Sequence, residues 1–100
     1  MTYDKILEVF ADYLSQDDSC EVLQTSRGPL VMDWSSGKTE WFSGQLCRSP
    51  AQLRDVLRSH FEEYEVFRLS ENGTRDVTEQ EEKAVEKQGA ELAARCESGG

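Results

Sequence analysis

The spacing of apolar residues along this chain changes after residue 19. In residues 3–14 apolar side chains recur at intervals of three and four, which places them on one face of an α-helix. From residue 20 they alternate with polar side chains, as in a half-buried β-strand. An amphipathic helix followed by alternating strands must bury its apolar face against a sheet. The change of period therefore predicts an α+β fold.

Turn-forming residues divide the alternating segment into three short strands. The strands are predicted over residues 20–25, 30–34 and 39–47, with turns at residues 26–29 and 35–38. Glycine and proline in these turns supply backbone conformations that a continuous strand excludes. Strands joined by such short turns pair as neighbours, so the segment predicts an antiparallel meander.

Two further helices are predicted from capping signals. Ser49 precedes Pro50 and is followed three residues later by Gln52, which together form a capping box with proline in the first turn. Thr78 and Glu81 form a second box of the same kind, which opens a helix running to about residue 96. Each box supplies hydrogen-bond partners to amide groups that the first helical turn leaves unsatisfied.

A fourth strand is predicted over residues 65–69, where apolar and charged residues alternate, followed by a turn at residues 70–74 that contains an Asn-Gly pair. The predicted order is then α-β-β-β-α-β-α. This order is typical of a two-layer α+β domain with an antiparallel meander. We expect residues 1–97 to form one such domain and residues 98–100 to form a disordered tail.

The predicted hairpin register decides which side chains share a face of the sheet. It pairs Thr25 with Leu30 and Ser35 with Lys38, and a slip of one residue would exchange the faces. We expect the face with the larger side chains to be the core, and the other to be an open, partly apolar binding patch. The predicted core face carries Leu23, Leu30, Met32, Trp34 and Trp41, and the predicted open face carries Val22, Val31 and Phe42.

Charge is distributed unevenly along the chain. Residues 1–26 have a net charge of −5, residues 27–60 of +2 and residues 61–100 of −6, which gives −9 for the whole chain. Such acidity disfavours direct binding to nucleic acid or to anionic membranes, since both need clustered cations. It favours a basic protein partner.

Cysteine and histidine are too few and too widely spaced for a zinc site or a disulfide framework. Cys20, Cys47 and Cys96 are far apart in the sequence, and His60 is the single histidine. No metal and no cofactor is therefore predicted. Residues 1–20 contain no secretory signal and no apolar run approaches a membrane span, so we expect a cytoplasmic protein.

Asp33, Glu40 and His60 are the residues that a catalytic role would use. The predicted register places Asp33 opposite Glu40, and two neighbouring carboxylates can raise a pKa or hold a cation. His60 is a candidate general base, but nucleophilic catalysis also needs a serine or cysteine and an orienting acid nearby. The sequence indicates no such arrangement, and no catalytic residue is predicted.

The sequence favours a small, acidic, cytoplasmic protein-binding module without catalysis. The predicted partner is another protein, with basic partners favoured, and a homodimer formed by stacked open faces is the other form. Two alternatives stay open: an acidic nucleic-acid mimic that inhibits a basic nucleic-acid-binding enzyme, and a small enzyme using Asp33, Glu40 or His60. The predicted protein-binding residues are Val22, Val31 and Phe42 on the open face and Asp4, Glu8 and Asp12 on the first helix.

Overall fold

A computed structural model of the chain describes residues 1–34 and 40–97, apart from the side chains of Trp41 and Phe42. The predicted turn at residues 35–38 and the predicted tail lie outside the described residues. The described residues form four helices and one three-stranded antiparallel sheet of strand order β1-β2-β3, which confirms the α+β class. The elements are α1 (Tyr3–Val9), α2 (Ala11–Gln16), β1 (Cys20–Thr25), β2 (Gly28–Trp34), β3 (Trp41–Leu46), α3 (Pro50–Leu69) and α4 (Glu79–Glu97).

The predicted first helix is interrupted once, at Phe10, and so forms the two short helices α1 and α2. Thr2 caps α1, because its hydroxyl oxygen accepts a hydrogen bond from the Lys5 amide at 3.1 Å. Phe10 has φ −92° and ψ 8°, outside the helical range, and its side chain is fully buried.

The N-terminus of α3 follows the predicted capping signal with one change of partner. The Ser49 hydroxyl accepts a hydrogen bond from the Gln52 amide at 3.1 Å, and Pro50 occupies the first helical position. The Gln52 side chain accepts from the amide of Arg48 at 2.8 Å, one residue before the cap. Both contacts satisfy amide groups that would otherwise lack a partner.

The prediction of a fourth strand over residues 65–69 is wrong, because α3 continues through this segment to Leu69. The Ser70 amide donates to the Val66 carbonyl at 2.9 Å, and Arg68 pairs with Glu65 at 2.6 Å, a contact between helical neighbours. Five alternating residues do not outweigh a helix already formed over the four turns before them, since propagation is easier than nucleation.

The capping box at the start of α4 is present as predicted. The Glu81 amide donates to the Thr78 hydroxyl at 3.1 Å, and the Thr78 amide donates to the Glu81 carboxylate at 3.1 Å. The same carboxylate pairs with the Arg75 guanidinium at 2.6 Å. Together these bonds hold the pKa of Glu81 well below its usual value of 4.5, at about 2, with the hydrogen bond from Arg75 as the largest cause.

Acidification should loosen the N-terminus of α4. Because the pKa of Glu81 is lower in the folded state, its stabilising effect is present above 4.5 and is lost as the pH falls towards about 2. Titration of the Glu81 side-chain carboxyl by NMR should give this low pKa. Arg75→Gln should move the pKa back towards the usual value. An unchanged pKa in that variant would contradict the assignment of the guanidinium as the main cause.

The observed register differs from the predicted one on both sides of β2. Thr25 pairs with Gly28 and not with Leu30, which shifts β1 by two residues and keeps its faces. On the other side Leu30 pairs with Leu46, and an irregularity between Asp33 and Trp34 brings Trp34 opposite Trp41, where the predicted register pairs Trp41 with Met32. As a result of the shift between β2 and β3, Asp33 lies opposite Ser43.

The helices cover the face of the sheet that contains Val31, which we call the inner face. Val31 is 2% exposed, and Val22 packs against the same core cluster. The prediction that these two valines lie on an open face is therefore wrong, and the prediction for Phe42 lies outside the described residues. The core cluster consists of Ile6, Val9, Phe10, Tyr13, Cys20, Val31, Cys47, Leu53, Leu57, Phe61 and Cys96.

The aromatic residues of the core come from the helices. Tyr13 packs edge-to-face against Phe61 with ring centroids 5.7 Å apart, and against Tyr64 at 5.6 Å. The inner face of the sheet contributes short or β-branched side chains, which let the helices approach closely. Within residues 1–34 and 40–97, no helix is long and apolar enough to cross a bilayer.

Candidate protein-binding surfaces

The sheet face that points away from the helices carries apolar side chains and is called the outer face. Leu23 is 38% exposed, and Leu30 and Trp34 are half-buried. Met32 is 7% exposed, yet it does not belong to the core cluster. No helix in the described part of the chain packs on this face, because the helices contact the opposite side. The outer face is defined by Leu23, Leu30, Met32, Trp34 and Leu46.

Trp34 is an outer-face residue and not a core residue. Its indole N–H donates to the Glu21 carboxylate across the strand pair at 2.7 Å. This bond satisfies the polar atom of the ring and leaves the rest of the ring on the surface. The predicted core position of Trp34 is therefore wrong, while the predicted burial of the Trp41 side chain lies outside the described residues.

The acidic residues predicted as contacts lie on the surface of α1 and α2. Asp4, Glu8 and Asp12 are all exposed. The interruption at Phe10 divides them between two helices, so they do not lie along one continuous helix. Their exposure is compatible with partner binding, and their role stays a prediction.

A second acidic group surrounds a groove between α3 and α4 that the sequence did not reveal. The groove has a volume of about 440 Å³ and an apolar floor formed by Val66, Phe67 and Val85. Phe67 is 55% exposed, the most exposed of the large hydrophobic side chains in the described residues. The acidic members of the lining are Glu62, Glu63, Glu82 and Glu86.

Gly89 allows α4 to lie close to α3 beside this groove. A Cβ atom at Gly89 would overlap the Glu62 side chain, which lies across it. Glu62 is also held by Arg58, whose Nε lies 3.0 Å from the carboxylate. Glycine lowers the helix propensity at this position, and the close approach of Glu62 gives a packing reason for it.

The structure brings together two of the three residues considered for catalysis. His60 Nδ1 lies 3.2 Å from Asp33 Oδ1, and the Ser43 hydroxyl donates to Asp33 Oδ2 at 3.1 Å. Asp33 is opposite Ser43 in the register, so the predicted pairing of Asp33 with Glu40 is wrong. The sequence missed Ser43, since the wrong register placed another residue beside Asp33.

This group does not have the order that nucleophilic catalysis requires. In a catalytic triad the histidine lies between the hydroxyl and the acid, where it takes the proton of the nucleophile. Here Asp33 lies between Ser43 and His60, and both bind the same carboxylate. The arrangement links α3 to β2 and β3. The cleft around it is acidic, with Asp17, Asp55 and Glu63 among its lining residues.

A buried carboxylate beside this cleft organises the chain between α2 and β1. Asp17 accepts a hydrogen bond from the Tyr13 hydroxyl at 2.6 Å, and from the amide and hydroxyl of Ser19 at 3.0 and 2.7 Å. Burial raises the pKa of Tyr13 strongly and that of Cys20 to about 11. The Tyr13 hydroxyl and the Cys20 thiol are therefore protonated near neutral pH, and both have a structural role.

The arginines of α3 pair with acidic residues of the same chain. Arg54 pairs with Asp55 at 2.9 Å and with Glu97 at 3.0 Å. Both carboxylates are well exposed, and Arg54 is partly exposed. Exposed pairs of this kind contribute little to stability, but they occupy the cations. Arg54 and Arg58, two of the five basic residues between positions 27 and 60, are thus engaged in ion pairs, which disfavours phosphate contacts by these two side chains.

No protein-family model matches this sequence, and no curated protein or solved structure matches it. Within the described ranges, no three His, Cys, Asp or Glu side chains are grouped so that they could hold a metal ion. Two surfaces described above are candidate sites: the outer face of the sheet and the groove between α3 and α4.

Proposed function

We propose that this protein is a small, non-catalytic protein-binding module of the cytoplasm that buries the outer face of its sheet against another protein. One observation carries the proposal: apolar side chains of all three strands lie on a face that the described helices leave uncovered. A contiguous apolar face of this kind is typical of interaction sites. The three cysteines are unpaired, which a reducing compartment favours.

The composition of the outer face suits the centre of a protein interface. Interface centres are depleted in charged residues and enriched in aromatic ones. Glu21 is the one charged side chain among the described residues of this face, and it is bonded to Trp34. A protein with a net charge of −9 thus presents one nearly uncharged surface. An apolar partner surface can dock there with little desolvation of charge.

A lysine at Leu23 should abolish partner binding without unfolding the protein. Leu23 is already 38% exposed, so the substitution affects the free protein little, whereas the complex would bury an unpaired ammonium group. The test is affinity capture from lysate of the source cells, followed by measurement of the purified partner's affinity. Amide exchange with the partner bound should then slow across β1 and β2.

Gln24→Lys is the matched control, because Gln24 is the next residue of the same strand, is exposed and belongs to the opposite face. It adds the same charge and should leave binding unchanged. Equal loss of binding in both variants would contradict the proposal. Sedimentation of the wild-type protein alone distinguishes a partner protein from a second copy of the chain, the homodimer considered from the sequence.

A further inference from the structure

We infer that the groove between α3 and α4 binds a basic, amphipathic helical segment of another protein, at a site separate from the outer face. The groove combines two features that suit such a segment. Its floor is apolar, formed by Val66, Phe67 and Val85, and carboxylates surround it. Amphipathic helices bind in grooves of this kind by inserting apolar side chains spaced three or four residues apart.

The floor offers an anchor that the fold itself does not use. Phe67 is 55% exposed although it lies on a helix otherwise well packed against the core. Val85 beside it is 3% exposed and forms a firm base for the groove. An exposed aromatic ring next to buried aliphatic side chains is a typical centre of binding energy in protein interfaces.

The carboxylates select the charge of the occupant. Glu62 is paired with Arg58, but Glu63, Glu82 and Glu86 form no ion pair within residues 1–34 and 40–97. Lys83 lies on α4, pairs with Glu79 at 3.3 Å and does not line the groove. Three unpaired carboxylates around an apolar floor favour lysine and arginine on both sides of an apolar stripe.

The net negative charge of the protein makes a second copy of the chain unsuitable as the occupant of the groove. A second copy carries a net charge of −9, and arginines on its longest helix are engaged in internal pairs. Repulsion between two such chains opposes association at this groove. A nucleic acid is excluded for the same reason. The occupant that fits is a basic segment of a different protein.

The test uses a labelled synthetic peptide of about 18 residues with leucine at helical spacing and lysine elsewhere. We expect saturable binding by fluorescence polarisation, with NMR shifts centred on Val66, Phe67 and Val85. A scrambled peptide of the same composition, with no apolar face, should bind at least about tenfold more weakly. Equal binding of both peptides, or no binding of either, would overturn the inference.

Two variants test the floor and the charges separately. Phe67→Ala should weaken peptide binding by about tenfold, because it removes the anchor. The double substitution Glu82→Lys with Glu86→Lys should weaken it by a similar factor of about ten. Circular dichroism establishes that each variant is folded. Retained affinity in Phe67→Ala would show that the groove floor is not the site.

The matched charge control is Glu71→Lys with Glu91→Lys, two exposed carboxylates that do not line the groove. Both double variants change the net charge equally, so a general attraction to an acidic protein would weaken equally in both. We expect loss in the groove variant alone. Leu23→Lys on the outer face should leave peptide binding unchanged, so failure of one surface is distinguishable from failure of the other.

Discussion

Val31→Asp should unfold the protein, and Leu23→Asp on the same sheet should not. Val31 is 2% exposed in the core cluster, whereas Leu23 is 38% exposed on the outer face. Loss of a buried valine removes about 1.5–3 kcal/mol of stabilisation, and an unpaired buried carboxylate costs several more. That total approaches the roughly 5–15 kcal/mol by which a small domain is stable.

Urea denaturation followed by circular dichroism measures both variants. We expect Val31→Asp to lack a cooperative transition and Leu23→Asp to change the free energy of unfolding by about 1 kcal/mol or less. The reverse result would mean that the helices cover the Leu23 face. It would restore the sequence-based assignment, in which Val22 and Val31 are exposed.

Gly28→Ala should destabilise the protein by about 2–5 kcal/mol, since the expected losses combine strain with overpacking. Gly28 has φ +126°, a backbone conformation that residues with a Cβ atom rarely adopt. An added Cβ would also lie 2.6 Å from the carbonyl oxygen of Cys47, a backbone atom that cannot move away independently. The turn between β1 and β2 therefore needs glycine for two reasons.

Gly73→Ala separates these two reasons. Gly73 has φ +86°, but an added Cβ would have no neighbour within 4 Å. Its substitution should cost only the conformational part, about 1–2 kcal/mol. Chemical denaturation of both variants gives the difference. Equal destabilisation would contradict the close approach of Gly28 to the Cys47 carbonyl.

The starts of α1, α3 and α4 could be predicted because their signals are local, whereas α2 begins after Phe10 without a side-chain cap. Thr2, Ser49 and Thr78 each cap a helix with their own hydroxyl, and the bond closes within three residues. Such a contact depends on the identity of two or three neighbouring residues. The C-terminal end of α3 has no comparable signal before Ser70, and a short alternation there suggested a strand instead.

The buried face of the sheet could not be predicted from the apolar pattern. Both faces of β2 carry apolar residues, with Leu30 and Trp34 on one and Val31 on the other. Size favoured the face with tryptophan as the core. The helices instead supply the bulky aromatics, Phe10 and Phe61 among them, and the sheet contributes smaller side chains beneath them.

The candidate surfaces depend on contacts between residues far apart in sequence. His60 contacts Asp33 because α3 crosses β2. Glu63 and Glu82 line the same groove because α4 lies along α3. The apolar floor of the groove could therefore not be recognised from the sequence. The alternation of residues 65–69 predicts a strand at Phe67, in which its side chain would not face the last helix.

The three buried thiols are reporters of local opening that the protein already contains. Cys20 lies in β1, Cys47 follows β3, and Cys96 lies near the end of α4, so the three thiols reach the core cluster from different elements. Burial raises the pKa of all three, which keeps them in the unreactive thiol form. Each thiol can then be alkylated only when the structure around it opens locally. The labelling rate at each site therefore gives the frequency with which that region opens.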